Sequence, residues 1–135
     1  MNEQPIIRVS DVMDTNVVIV ERLLTVQEAL HTMKERKVAA LIVNRRDMDD
    51  EYGMVVLSDI SKKVLALDRS PKRVNIYEIM AKPVISVRAS MDIRYCARLF
   101  NNFGLNFAPV LENEEIVGVV SNAEIALRSF LDETH

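Results

Sequence analysis

The chain has one cysteine, no tryptophan, two histidines, three glycines and four prolines among its 135 residues. A lone Cys96 excludes an intramolecular disulfide and any metal site built from several thiolates, and it suits a reducing compartment, so the expected location is cytoplasmic. With His31 and His135 as the sole imidazoles, neither a histidine-rich metal centre nor a Ser-His-Asp triad is readily assembled, and no metal is expected. So little glycine and proline excludes a collagenous or low-complexity chain. Positive charge is not in surplus either. Lys+Arg 17 against Asp+Glu 20 leaves a net charge of -3, which argues against nucleic acid as a partner. Charges interrupt every apolar stretch, so none reaches the roughly 20 residues of a spanning helix, and no membrane partner is expected. The first residues, with Glu3, Arg8 and Asp11, lack the apolar run of a signal peptide.

What is present is ample material for a core: 49% hydrophobic and 27% charged residues. The strongest pattern in it is a repeat. Val9-Ser10-Asp11-Val12-Met13 resembles Ile76-Tyr77-Glu78-Ile79-Met80, an offset of 67 residues from position 13 to position 80. The same offset carries Val20 onto Val87, Val26 onto Ile93, Ala29 onto Cys96, Met33 onto Phe100 and Val43 onto Val110. Beyond the acidic loop Asp47 to Glu51 the offset falls to 65, placing Gly53 on Gly118, Asp59 on Glu124 and Ile60 on Ile125. The second copy thus has a loop two residues shorter.

Each copy reads β-α-β-β-α. In the first, Val17 to Val20 is a β-branched strand. Thr25 to Arg36 sets Val26, Ala29, Leu30 and Met33 at helical spacing, with Thr25 and Glu28 as a capping box. Strands over Ala39 to Val43 and Met54 to Leu57 follow, then a helix from Ser58 to about Leu67. In the second, strands fall at Ile85 to Val87, Phe107 to Leu111 and Ile116 to Val120, and helices at Met91 to Phe103 and Asn122 to Leu131. The domain division is 1–67 for the first copy with its N-terminal segment, 68–75 for a linker containing Ser70-Pro71, and 76–135 for the second copy. The class is α/β (α+β). A copy of about 60 residues is marginal alone, so the two are expected to pack about a pseudo-twofold axis.

The chemistry concentrates at the strand-to-helix turns, Gly53 to Asp59 and Gly118 to Glu124. A glycine opening a strand permits close approach of a ligand or another backbone. A hydroxyl beside a helix N-terminus binds phosphate, and a carboxylate one turn on accepts bonds from a sugar diol. The competing reading is structural: Ser58 or Asn122 caps the helix, and Asp59 or Glu124 complements its dipole. Cys96, matching Ala29, reads as a small buried helical residue, and His31 as surface.

These features together resemble a tandem pair of CBS domains, the modules named after cystathionine β-synthase. The likeness runs from Val9 to about Leu131. It rests on Asp11-Val12-Met13, Glu78-Ile79-Met80, Thr25 to Leu30, Ala108-Pro109-Val110, Gly53 to Ile60 and Val117 to Ser121. The resemblance implies a cleft for an adenosine-containing ligand such as AMP, ADP, ATP or S-adenosylmethionine, with no required cofactor and no catalysis. The family turn places glycine, two apolar residues, Thr or Ser, two more residues and Asp in order, the hydroxyl near phosphate and the Asp on the ribose. The first copy keeps Gly53 and Asp59 but has Val56 at the hydroxyl position. The second keeps Gly118 and Ser121 but has Glu124 for Asp, which favours the second cleft.

By the same resemblance the adenine slot is lined by Val84, Ile85, Phe107 and Pro109 in the second copy, and by Val17, Val18, Ala40 and Leu41 in the first. Lys62, Lys63 and Arg128 are the cations near enough along the helices to meet phosphate. The expected protein is a stand-alone regulatory homodimer that signals to an effector protein. The alternative is a ligand-free dimerisation or protein-interaction module with degenerate clefts.

Overall fold

The computed structural model describes residues 5–133, with side chains through residue 129, so His135 lies outside the described residues. The elements are α1 (Val9–Val12), β1 (Ile19–Val20), α2 (Val26–Arg36), β2 (Ala40–Val43), β3 (Gly53–Val56) and α3 (Leu57–Ile60), then β4 (Val87–Arg88), α4 (Ile93–Phe103), β5 (Phe107–Glu112), β6 (Glu115–Ser121) and α5 (Asn122–Glu133). They form a mixed α/β fold with two three-stranded sheets, β1-β2-β3 and β4-β5-β6. In each sheet the first pair is parallel and the second antiparallel.

Local sequence explains the long helices. Thr25 Oγ1 accepts from the Glu28 amide at 3.1 Å and Glu28 Oε1 accepts from the Thr25 amide at 3.0 Å, closing the capping box of α2. That pairing holds the Glu28 carboxyl below its ordinary range, chiefly through the Thr25 amide and then its hydroxyl. Asp92 does the same work for α4, accepting from the Arg94 amide at 2.9 Å. Both helices stop on a left-handed residue, Lys37 (φ 57) and Gly104 (φ 63), which are equivalent in the repeat.

The elements differ from the sequence expectation at three points. The strands expected over Val17 to Val20 and Ile85 to Val87 shrink to two residues each, because only Ile19↔Ile42 and Val20↔Val43, or Val87↔Val110 and Arg88↔Leu111, pair in register. Val18 contributes its carbonyl, which accepts from the Ile42 amide at 2.9 Å, and its buried side chain rather than a strand position. The helix expected from Ser58 to Leu67 is four α-residues followed by a π-turn, Ser61–Leu65.

The chain packs as two compact units, one spanning Val18–Val84, the other joining the segment before Val18 to the chain from Ile85 onward. The division by packing therefore differs from the division by repeat. In the first unit, Val26, Ala29, Met33, Leu41, Val43 and Val55 share a core with Val74, Ile76 and Ile79 from the far end of the linker and the opening of the second copy. In the other, Val9 and Val12 of α1 join Val87, Ile93, Cys96, Phe100, Val110, Val120 and Ile125. Each copy's opening segment thus completes the core of the other copy.

The exchange is tied down at matching points. Backbone bridges Arg8↔Asp92 and Thr25↔Asn75 join each opening segment to a helix N-cap, and Asp14↔Val119 and Met54↔Ala81 join it to the last strand of a sheet. Arg128 Nη1 donates to the Asp11 carbonyl at 2.9 Å, and Lys63 Nζ donates to the Ile79 carbonyl at 3.1 Å. Arg128 lies on α5 and Lys63 on the π-turn after α3, and each holds a carbonyl of an opening segment, Asp11 within α1 and Ile79 just past a single 3-10 turn at Ile76–Glu78, where carbonyls lack intrahelical donors.

Candidate functional site

The two strand-to-helix turns are built alike. The Leu57 amide donates to the Ala39 carbonyl at 2.9 Å, and its counterpart, the Asn122 amide, donates to the Asn106 carbonyl at 2.8 Å. This bond fixes where the strand ends and the helix starts. It also sets the second strand beside the turn: Ala40 pairs with Val56, and Phe107 pairs with Ser121.

The glycines answer to protein, not to open space. A Cβ on Gly118 would stand 2.6 Å from Met13 Sδ, 2.9 Å from Met13 Cγ and 3.0 Å from the Asp14 carbonyl. A Cβ on Gly53 would stand 2.6 Å from Met80 Sδ and 3.2 Å from the Ala81 carbonyl. Of the two approaches a strand glycine permits, the one seen here is another backbone with its methionine. The methionine of each copy's opening motif therefore packs on the glycine of the other copy's turn. Sequence reasoning missed this contact. Its signal was the recurrence of one methionine and one glycine at fixed positions in both copies.

Past the glycines the turns diverge. In the second copy Ser121 Oγ accepts from the Glu124 amide at 3.1 Å, so the hydroxyl caps α5, a regular helix of 12 residues. The residue expected as cap, Asn122, is instead the first helical residue. In the first copy Val56 occupies that position, no side chain caps α3, and the α-geometry lasts four residues. Glu124 is exposed on the first turn of α5, whereas Asp59 is half-buried in α3.

The remaining sequence-predicted residues are placed as follows. Phe107 is half-buried opposite Ser121, and Pro109 is buried opposite Val119, so both share the sheet that carries the turn. Val17 is half-buried, Val18 buried, Ala40 and Leu41 buried on β2. Val84 is half-buried and Ile85 is 37% exposed, both ahead of β4. Lys62 is exposed. Arg128 and Lys63 are committed to the carbonyls of Asp11 and Ile79. Their first role is structural.

Groups outside the turns are also set by local partners. Asp50 in the acidic loop is held well below the carboxylate range, first by the Lys82 ammonium at 2.8 Å and then by the Arg46 amide. Burial pushes the Cys96 thiol up to about 11. Among the described residues no cluster of three His, Cys, Asp or Glu has the arrangement of a metal site, and no helix is long and apolar enough to cross a membrane.

Comparison with known proteins agrees with this architecture. The model of the CBS domain matches residues 9–66 and 76–129. The chain is 37% identical to the hexameric CBS-CP12 protein from bloom-forming cyanobacteria, with a TM-score of 0.90 over 95% of this chain and 74% of that one. It is 32% identical over 122 residues, 88% of its length, to a homoserine O-acetyltransferase of Methanosalsum zhilinae, of which it spans 23%. The CBS domain pair of protein MJ0100, solved with 5-methylthioadenosine and S-adenosyl-L-methionine, is 22% identical with a TM-score of 0.79 over 96% of this chain and 99% of that one.

Proposed function

The chain belongs to the CBS-domain family as a tandem pair, and from that premise we propose that it is a non-catalytic regulatory module binding an adenosine-containing ligand, AMP, ADP, ATP or S-adenosylmethionine. The observation that carries the reading is the second turn. Ser121, the last residue of β6, caps a 12-residue helix whose first turn carries Glu124, and Phe107 is paired directly across from Ser121. A serine oxygen that accepts one amide bond can still donate its own proton to a phosphate or carboxylate oxygen. The helix N-terminus adds favourable potential for the same anion. Glu124, exposed and acceptor-only when ionised, suits a ribose diol. The adenosyl ligands of the MJ0100 pair support this class of ligand.

A route from ligand to output follows from the helix. Glu124 and Arg128 lie on one face of α5, and Arg128 holds the Asp11 carbonyl at the end of α1. A ligand that prefers one position of α5 biases the seating of α1, and only unequal affinity for the two positions produces a shift. The readout passes to a partner protein or to a second copy of the chain; the cyanobacterial relative is described as hexameric. A second reading, an interaction module that binds no nucleotide, is favoured by Val56 in the first turn and by the methionines seated on both glycines.

Isothermal titration with AMP, ADP, ATP and S-adenosylmethionine separates the two, with light scattering on the same sample for self-association. The expected result is saturation near one site per chain. Ser121→Ala and Glu124→Ala should each weaken it by about tenfold, the loss of roughly one hydrogen bond to a charged or polar group. No heat with any of the four from folded protein would sink the sensor reading and leave the interaction module.

A further inference from the structure

A depression of about 620 Å³ opens in the unit formed by the N-terminal segment and the second copy, between the residues ahead of α1 and the β4–α4 connection. It gathers three arginines, Arg8, Arg88 and Arg94, beside Ile6, Met91 and Tyr95. For a chain of net charge -3 this is a concentration of positive charge, opposed among the described lining residues by Asp92 alone. Two of the arginines are already positioned. Arg8 Nη1 donates to the Ser90 carbonyl at 2.6 Å, and Arg94 Nη2 pairs with Asp92 Oδ2 at 2.7 Å. A guanidinium carries five N–H donors, so the single bond to Ser90 leaves Arg8 able to serve a ligand. Arg88 is exposed, and its guanidinium has no partner among the described residues.

Two of the apolar lining residues are exposed as well, Ile6 at 55% and Tyr95 at 60%, and Met91 is half-buried. The Arg98 guanidinium lies 5.2 Å from the Tyr95 ring centroid, which steadies that ring as a platform. Arginine forks matched to an anion, next to a hydrophobic ledge, call for a ligand with both parts. Three cations against one carboxylate leave a surplus of two, the charge that a phosphomonoester carries near neutral pH.

We propose that this depression is a second small-molecule site, separate from the strand-to-helix turns, that binds a phosphomonoester whose organic group rests on Ile6, Met91 and Tyr95. The two sites share no residue, so the proposal stands or falls independently of nucleotide binding.

The test titrates the full chain with phenyl phosphate at low salt, following amide shifts by NMR, with inorganic phosphate and phenol as probes that each lack one half. Saturable binding of phenyl phosphate with shifts at Arg88 to Tyr95 is expected. Inorganic phosphate should bind about tenfold more weakly for want of the apolar contact. Arg88→Ala, at an exposed position, should weaken phenyl phosphate by about tenfold, and Ser121→Ala should leave it unchanged. Failure to saturate, equal affinity for inorganic phosphate, or wild-type affinity in both Arg88→Ala and Tyr95→Ala would each overturn the proposal.

Discussion

Gly118→Ala tests the exchanged packing most directly. The added methyl would stand 2.6 and 2.9 Å from Met13 Sδ and Cγ, inside van der Waals contact, and 3.0 Å from the Asp14 carbonyl. Methionine has three rotatable bonds and can retreat, but Met13 packs against the core of that unit. The carbonyl is less free, since it accepts from the Val119 amide at 2.9 Å while Asp14 donates back to Val119 at the same distance. Overpacking of this kind costs about 1–3 kcal/mol, and the backbone component points to the upper half of that range. Gly53→Ala should cost less, because its backbone neighbour, the Ala81 carbonyl, is at 3.2 Å. Adding Met13→Ala to Gly118→Ala removes the side-chain clash, so the pair should couple favourably by about 1 kcal/mol. Urea unfolding followed by far-UV circular dichroism measures wild type, Gly118→Ala, Gly53→Ala, Met13→Ala and the double variant. A cost below about 0.5 kcal/mol for Gly118→Ala, or strict additivity in the double variant, would refute the contact.

Other expectations concern single positions. Lys37→Gly should stabilise the chain by about 0.5–1 kcal/mol by relieving a left-handed side chain, whereas Gly104→Ala should cost about 1 kcal/mol despite open space around it; chemical denaturation decides both. The Cys96 thiol, fully buried and pushed up to about 11, should react with a thiol reagent at pH 8 only at the rate of unfolding. Because its folded value is raised, its contribution is complete below the unfolded value of about 8.5 and declines as pH climbs toward 11, visible as a falling melting temperature that Cys96→Ala should lessen. Asp92 is held low by the Arg94 side chain and then its amide. Its contribution is present above the unfolded value of about 4 and is lost as pH drops below it, so the stability gap between wild type and Asp92→Asn should narrow in acid titration.

The elements of this fold were legible wherever the sequence acts locally. The Thr25–Glu28 box, the spacing of Val26, Ala29 and Met33, and the 67-residue offset each depend on neighbours within a few turns or on duplication. The candidate site was legible as a set of turn residues, and the pairing of Phe107 with Ser121 follows from the hairpin register. Less legible were the short parallel strands. Val17 and Ile85 have the right composition, but parallel pairing depends on a partner strand more than 20 residues away, and register admits only two pairs in each sheet.

Arg128 shows the other limit: by sequence it is a helical cation one turn from Glu124, yet a carbonyl more than a hundred residues away claims it. The amino-acid sequence by itself determined the duplication, the β-α-β-β-α order and the residue types at each turn, because backbone propensity and capping act over a few residues. The tertiary structure decided which opening segment completes which core and what fills the space over Gly53 and Gly118. Two copies with the same order of elements and the same residue classes at matching positions offer similar local signals, so only the long-range fit of Val9, Val12 and Met13 against one sheet, and of Ile76, Ile79 and Met80 against the other, distinguishes exchange from self-closure.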